Sequence, residues 1–150
     1  PDPAEDDLLP LVGLIEECFG RASVSEILQA LDARSSEGGE AGAWCREVAD
    51  ELNTRAPLSL LVTLRHLDEC CARDLRETLI ADYRLAVRFL ARPDLAEGVR
   101  VVLVDKDHKP TWQHASVGDV PASAVDEMFE PLEGGELELP TRDDMQAMRT

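Results

Sequence analysis

The sequence predicts a mainly α-helical fold of about six to seven helices, and three observations carry that reading. Apolar residues return at three- and four-residue spacing along most of the chain; serine or aspartate cap signals stand ahead of several of these stripes; glycines and prolines punctuate them.

Leu8, Leu11, Val12, Ile15 and Phe19 form the first stripe, which Gly20 ends. Ser23 then precedes Ile27, Leu28 and Leu31, with Glu26 three residues on, the spacing of a capping box. Ser35 to Glu40 is a polar, glycine-containing connector. Trp44, Val48 and Leu52 mark a third helix that stops before Pro57, with Trp44 as its core anchor.

Pro57 suits the first turn of a fourth helix, whose apolar stripe is Leu60, Leu61, Leu64, Leu67 and Cys71. Asp74 and Glu77 form a second capping box, opening a helix with Leu75, Leu79, Tyr83, Ala86, Val87 and Leu90 on its buried side. Pro93 closes that helix, because a proline disfavours helical backbone at the residue before it. Asp94 and Glu97 repeat the cap signal ahead of Val99 to Val104. The capped start argues helix and the β-branched run argues strand, since such residues lose χ1 freedom in helices; both stay open, with helix favoured. Ser123 to Phe129 reads as a short helix and Leu137 to Pro140 as extended. Residues 1–140 are therefore taken as one helical domain and 141–150 as an acidic tail without fixed structure.

A chain of 150 residues with 44% hydrophobic content is long and apolar enough to bury a core. Its apolar runs fall short of the roughly eighteen residues of a membrane span, so no membrane association is expected. The net charge of −16 is unevenly spread. Residues 1–53 hold 3 basic and 13 acidic side chains, net −10; residues 54–113 hold 10 and 9, net +1; residues 114–150 hold 2 and 9, net −7. Only the middle third is electrically fit to meet an anion, and nucleic acid is excluded as a partner because its phosphates would meet a repelling field.

Cys18, Cys45, Cys70 and Cys71 lack the C-x-x-C spacing of a zinc site, and neighbours on a helix point apart. They read as reduced, packed thiols. His66 lies one turn before Cys70, a spacing open to a base and nucleophile as well as to a plain surface pair. The start Pro1-Asp2-Pro3 has no basic and apolar signal pattern, so a cytoplasmic location is expected. Thirteen arginines against two lysines point to a GC-rich bacterial gene; a eukaryotic source would instead imply mitochondria.

Glycine-rich phosphate loops, G-x-S-x-G elbows and H-E-x-x-H pairs do not occur in the sequence. His108 and His114 flank Trp112 without a third ligand in view, and Asp105 and Asp107 around Lys106 read as a solvated turn. No catalytic or metal-binding residue follows from pattern alone.

Four segments in order supply more: Ala56-Pro57-Leu58-Ser59-Leu60-Leu61-Val62-Thr63-Leu64-Arg65-His66-Leu67, then Asp82-Tyr83-Arg84-Leu85-Ala86, then Pro93-Asp94-Leu95-Ala96-Glu97-Gly98-Val99-Arg100, and Val104-Asp105-Lys106-Asp107 followed by Pro110 and Trp112. From about Leu8 to Leu139 the chain resembles the C-terminal part of 3-hydroxyisobutyryl-CoA hydrolases, a branch of the crotonase (enoyl-CoA hydratase/isomerase) superfamily. The E-G-V-R and D-K-D-x-x-P-x-W elements are the specific marks; S-x-x-V-T-L-R is shared more widely. Asp82 stands where the family usually has Glu, and Leu58 replaces a common Thr.

The resemblance implies that Asp94 to about Val104 is helix and that Asp105 to Trp112 is the turn leaving it. It implies a helical portion without the ββα spiral core, whose backbone oxyanion hole and acid-base carboxylate belong to sequence outside this chain. The activity it implies is hydrolysis of a short acyl-CoA thioester in valine catabolism, with coenzyme A entering as part of the substrate and no other cofactor. This portion would cover the core, help close the acyl-CoA pocket and join subunits of a homo-oligomer. By similarity Lys106, Lys109 and Trp112 approach the CoA phosphates or adenine; the alternative is two surface charges and a packing indole. Hydratase or isomerase activity, and a stand-alone non-catalytic helical interaction module, remain the competing readings.

Overall fold

The computed structural model describes residues 11–147. Leu8 of the first predicted stripe lies outside the described residues. The helices are α1 (Val12–Phe19), α2 (Val24–Ser35), α3 (Gly39–Asn53), α4 (Pro57–Cys70), α5 (Leu75–Leu90), α6 (Pro93–Val99), α7 (Ala122–Phe129) and α8 (Arg142–Ala147). A π-helical turn, Arg100–Val104, continues α6, and a 3-10 turn spans Val117–Asp119. No β-strand occurs among the described residues, so the mainly helical class holds. α8 supplies regular structure within the segment expected to be an unstructured tail.

The chain divides into two compact units with the border inside α4: one holds residues up to Leu64 together with Trp112–Pro121, the other Arg65–Thr111 with the segment from Ala122 onward. In the first unit, Ser23 caps α2 by accepting from the Glu26 amide at 3.2 Å. The reciprocal bond lands one residue early, since Glu26 accepts from Ala22 N rather than Ser23 N. Gly38 and Gly39 take φ of +76° and +70°, a backbone turn that other residues rarely adopt, and so reverse the chain between α2 and α3. A Cβ on Gly42 would lie 3.2 Å from the Arg34 and Ser35 carbonyl oxygens, which is how α3 passes so close to the end of α2. Leu14, Cys18, Ile27, Leu31, Cys45 and Ala49 form the core, with Trp44 and Val48 packed at its edge. Trp44 is thus half-buried beside the core, and the buried line of α3 runs through Gly42, Cys45 and Ala49 instead.

In the second unit the predicted capping box is complete: Asp74 accepts from Glu77 N and Glu77 accepts from Asp74 N. α5 packs against α6 and α7. Arginines do much of the joining. Arg84 donates to the Phe129 carbonyl at 2.8 Å and pairs with Glu136 at 3.0 Å; Arg88 donates to Glu130 O, and Arg76 to the Leu139 and Pro140 carbonyls. Arg65 pairs with Asp126 and lies over the Phe129 ring, 4.2 Å from its centroid. The basic middle of the sequence is largely consumed in binding the acidic residues and carbonyls that follow it.

The burial of α5 differs from the sequence expectation. Ala81 and Leu85 are its buried residues, whereas Leu75 is 74% exposed, Leu90 72%, and Leu79 and Tyr83 are also exposed. Leu67 of α4 is exposed as well, and Leu58 and Val62 are buried in place of the predicted stripe. The period of 3.6 marks which residues share a face but not what covers it; here the face bearing Arg84 and Leu85 packs inward and the leucine-tyrosine stripe faces outward. Pro93, not Asp94, opens α6: it sits at the first helical position behind Arg92, whose side chain makes no cap bond.

Candidate functional site

The residues singled out by sequence lie on the segment leaving α6. The π turn widens the helix by one residue, with Asp105 N donating to Arg100 O at 2.8 Å. That turn brings the acids of the following loop back to Arg100. The guanidinium donates to both Glu97 oxygens at 2.8 Å, to Asp105 Oδ2 at 2.6 Å, to Asp107 Oδ2 at 2.9 Å and to the Lys109 carbonyl. Glu97 also accepts from Thr111 N at 2.7 Å, and Asp107 from Lys109 N at 3.0 Å. One arginine thus stitches the loop from Asp105 to Thr111 to the helix before it.

The electrostatic consequence follows from the contacts. Hydrogen bonds from Arg100 and from the Thr111 amide hold the Glu97 carboxyl down at about 2. Asp107 is lowered by Arg100 and the Lys109 amide, and Arg100 is raised by its three carboxylates, Glu97 foremost. Lys106 and His108 both have φ of +53°, a left-handed conformation that costs a non-glycine residue roughly 1–2 kcal/mol. The ionic staple around Arg100 is what holds them there.

Lys106 and Lys109 are exposed on this loop, and neither ammonium group has a partner among the described residues. They are held cations available to an anion, in contrast to the arginines. Trp112 belongs to the other unit; it is half-buried, and its indole N–H donates to Thr54 O at 2.9 Å. Its ring is therefore anchored by the packing role that was one of the two sequence readings. His108 and His114 fall in different units, and the described residues contain no group of three or more His, Cys, Asp or Glu side chains placed to hold a metal. A surface depression of about 540 Å³ in the first unit is lined by residues such as Ser35, Ala43, Arg46 and Asp50, away from the sequence-predicted positions.

A second cluster lies on α4 and α5. His66 Nε2 is 2.6 Å from Asp82 Oδ1, and Cys70 Sγ is 3.6 Å from His66 Nδ1 and 3.5 Å from Nε2. The helical spacing of His66 and Cys70 was legible; Asp82, sixteen residues on, gave no sequence signal of joining them.

The profile of the enoyl-CoA hydratase/isomerase family matches residues 1–129, and the chain belongs to that family. Among curated proteins it is 30% identical over 138 residues to 3-hydroxyisobutyryl-CoA hydrolase-like protein 5 of Arabidopsis thaliana, a match covering 90% of this chain and 35% of that protein. It is 31% identical over 147 residues to the small ribosomal subunit protein mS47 of the same plant, covering 93% and 36%. The crystal structure of an enoyl-CoA hydratase from Rhodobacter sphaeroides superposes with a TM-score of 0.76 at 28% identity, over 88% of this chain and 37% of that one. The chain spans about a third of the length of the curated relatives it matches. The resemblance read from the E-G-V-R and D-K-D-x-x-P-x-W elements is borne out at family level.

Proposed function

We propose that these residues are the helical portion of a short-chain acyl-CoA thioester hydrolase, acting on 3-hydroxyisobutyryl-CoA in valine catabolism, whose reacting groups lie outside this chain. The observation that supports it most is the exposed apolar stripe of α5. Leu75, Leu79, Tyr83 and Leu90 recur on one face and are all exposed among the described residues, the surface expected of an element that covers something else. Its occupant in this reading is the spiral core of the same protein or a second subunit; covering the acyl-CoA pocket there excludes stray water. Coenzyme A enters as part of the substrate, its phosphates drawn by Lys106 and Lys109 as point charges.

Two other readings have support. Similarity to the Rhodobacter enoyl-CoA hydratase favours hydratase chemistry, and the ribosomal relative favours a family member that serves as a binding module. One experiment separates all three. The complete gene product and residues 1–150 alone are assayed for thiol release from 3-hydroxyisobutyryl-CoA and for hydration of crotonyl-CoA. Thiol release by the complete product only is the expected result. Hydration without thiol release would move the assignment to a hydratase, and inactivity of the complete product on both substrates would favour the binding module. Sustained turnover by residues 1–150 alone would overturn the reading.

A further inference from the structure

The four cysteines meet three different fates, and only one is equipped for chemistry. Cys18 and Cys45 are fully buried in the first unit's core; burial, and then the neighbouring Cys45, pushes the Cys18 thiol up to about 11. Cys71 is exposed, but its S–H donates to Leu67 O at 3.4 Å, so a carbonyl holds the proton. Cys70 is half-buried against an imidazole that a carboxylate orients.

We propose that Cys70 is a thiol-modification site, with His66 as its base and Asp82 as the residue positioning that base, and that its substrates are small soft electrophiles, hydroperoxides in particular. Asp82 Oδ1, 2.6 Å from Nε2, accepts that nitrogen's proton and leaves Nδ1 as the free base of the ring, while the sulfur rests against the ring 3.6 Å from Nδ1 and 3.5 Å from Nε2, so that a small turn of the Cys70 side chain brings its S–H to Nδ1. With hydrogen peroxide the sulfur attacks one oxygen while His66 takes the thiol proton. The S–O bond forms as the O–O bond breaks, and the departing hydroxide receives that proton from His66 as water. Sulfur is oxidised to the sulfenic acid and peroxide is reduced, with no further reactant. When the imidazole is protonated, both of its nitrogens lie within 3.6 Å of the sulfur, so the positive charge sits against the developing anion. The inference is independent of the acyl-CoA reading.

The test uses the complete gene product and its Cys70→Ser and Cys71→Ser variants, treated with limiting hydrogen peroxide and trapped with dimedone. The adduct, read by mass spectrometry, is expected to vanish in Cys70→Ser and persist in Cys71→Ser; the reverse pattern, or no adduct in either, overturns the proposal. Iodoacetamide then reads the base directly. In the Cys71→Ser background, His66→Asn should slow alkylation of Cys70 about a hundredfold, the low end for loss of a positioned base. In the Cys70→Ser background the same change should leave Cys71 alkylation unaltered. Should His66→Asn fail a thermal-melt check of folding, Asp82→Asn decides, since that carboxylate is 53% exposed and the amide keeps its shape. Alkylation of Cys70 at the wild-type rate in a folded Asp82→Asn protein would refute the triad.

Discussion

Arg100 grips Glu97, three residues before it, through two hydrogen bonds of 2.8 Å each, and with the rest of its guanidinium holds Asp105 and Asp107 beyond the helix end. In this chain the stretch from Glu97 to Lys109 is thereby a folding device: its acids and arginine shape the loop, and its lysines are what the loop presents. Replacing Arg100 by Ala should free Lys106 and His108 from their left-handed conformations. Hydrogen exchange of the amides from Asp105 to Thr111 should accelerate, while amides in the α2–α3 core stay protected; unchanged loop exchange would show that the staple is ornamental.

The same loop should respond to acid. Glu97 is held at about 2 against an ordinary 4.5, so its folded-state value lies below the unfolded one. Its contribution to loop order is complete above about pH 4.5 and is lost as pH falls toward 2. Exchange of the Thr111 amide, which donates to Glu97, should therefore quicken across that window after correction for intrinsic rates. A Glu97→Gln variant should remove that dependence.

For the lysines the expectation concerns binding. Lys106→Ala and Lys109→Ala should each raise KM for an acyl-CoA substrate of the complete protein by about threefold to fivefold with kcat unchanged, an effect of about 1 kcal/mol or less for an exposed ion pair. The rise should shrink at high salt. Equal KM values in the double variant would remove these residues from the CoA site.

Leu31 is fully buried among Leu14, Cys18 and Ile27, and Leu31→Ala should cost about 2–5 kcal/mol in the first unit. Denaturant melts would show it as a lower midpoint. By contrast, Leu79→Ser on the exposed stripe should alter stability by no more than about 0.5 kcal/mol and reduce self-association of residues 1–150 in sedimentation velocity. A chain that is monodisperse before the substitution would count against a covering role for that stripe.

Much of this was legible before any coordinates. Asp74 and Glu77 announce a capping box because the bond is local, three residues long and set by side-chain reach; Ser23 and Gly38–Gly39 work the same way. The loop after α6 was legible as a motif, yet its staple was not, because Asp105 and Asp107 return to Arg100 only through a π turn that leaves no period in the sequence. The Cys70–His66 pair could be read from helical spacing; its carboxylate came from the next helix.

By itself the sequence determined the helical class, the places where most helices begin and end, and the family, since these depend on local backbone preferences and on an ordered set of motifs. Only the tertiary structure decided which face of α4 and of α5 is buried. Leu75, Leu79, Tyr83 and Leu90 form as apolar a stripe as any core, and the structure turns them outward, because burial depends on what a neighbouring element supplies and not on the stripe alone. It also decided that the arginines of α5 are bound to the acidic segment that follows, while Lys106 and Lys109 are held out with nothing to neutralise them among the described residues.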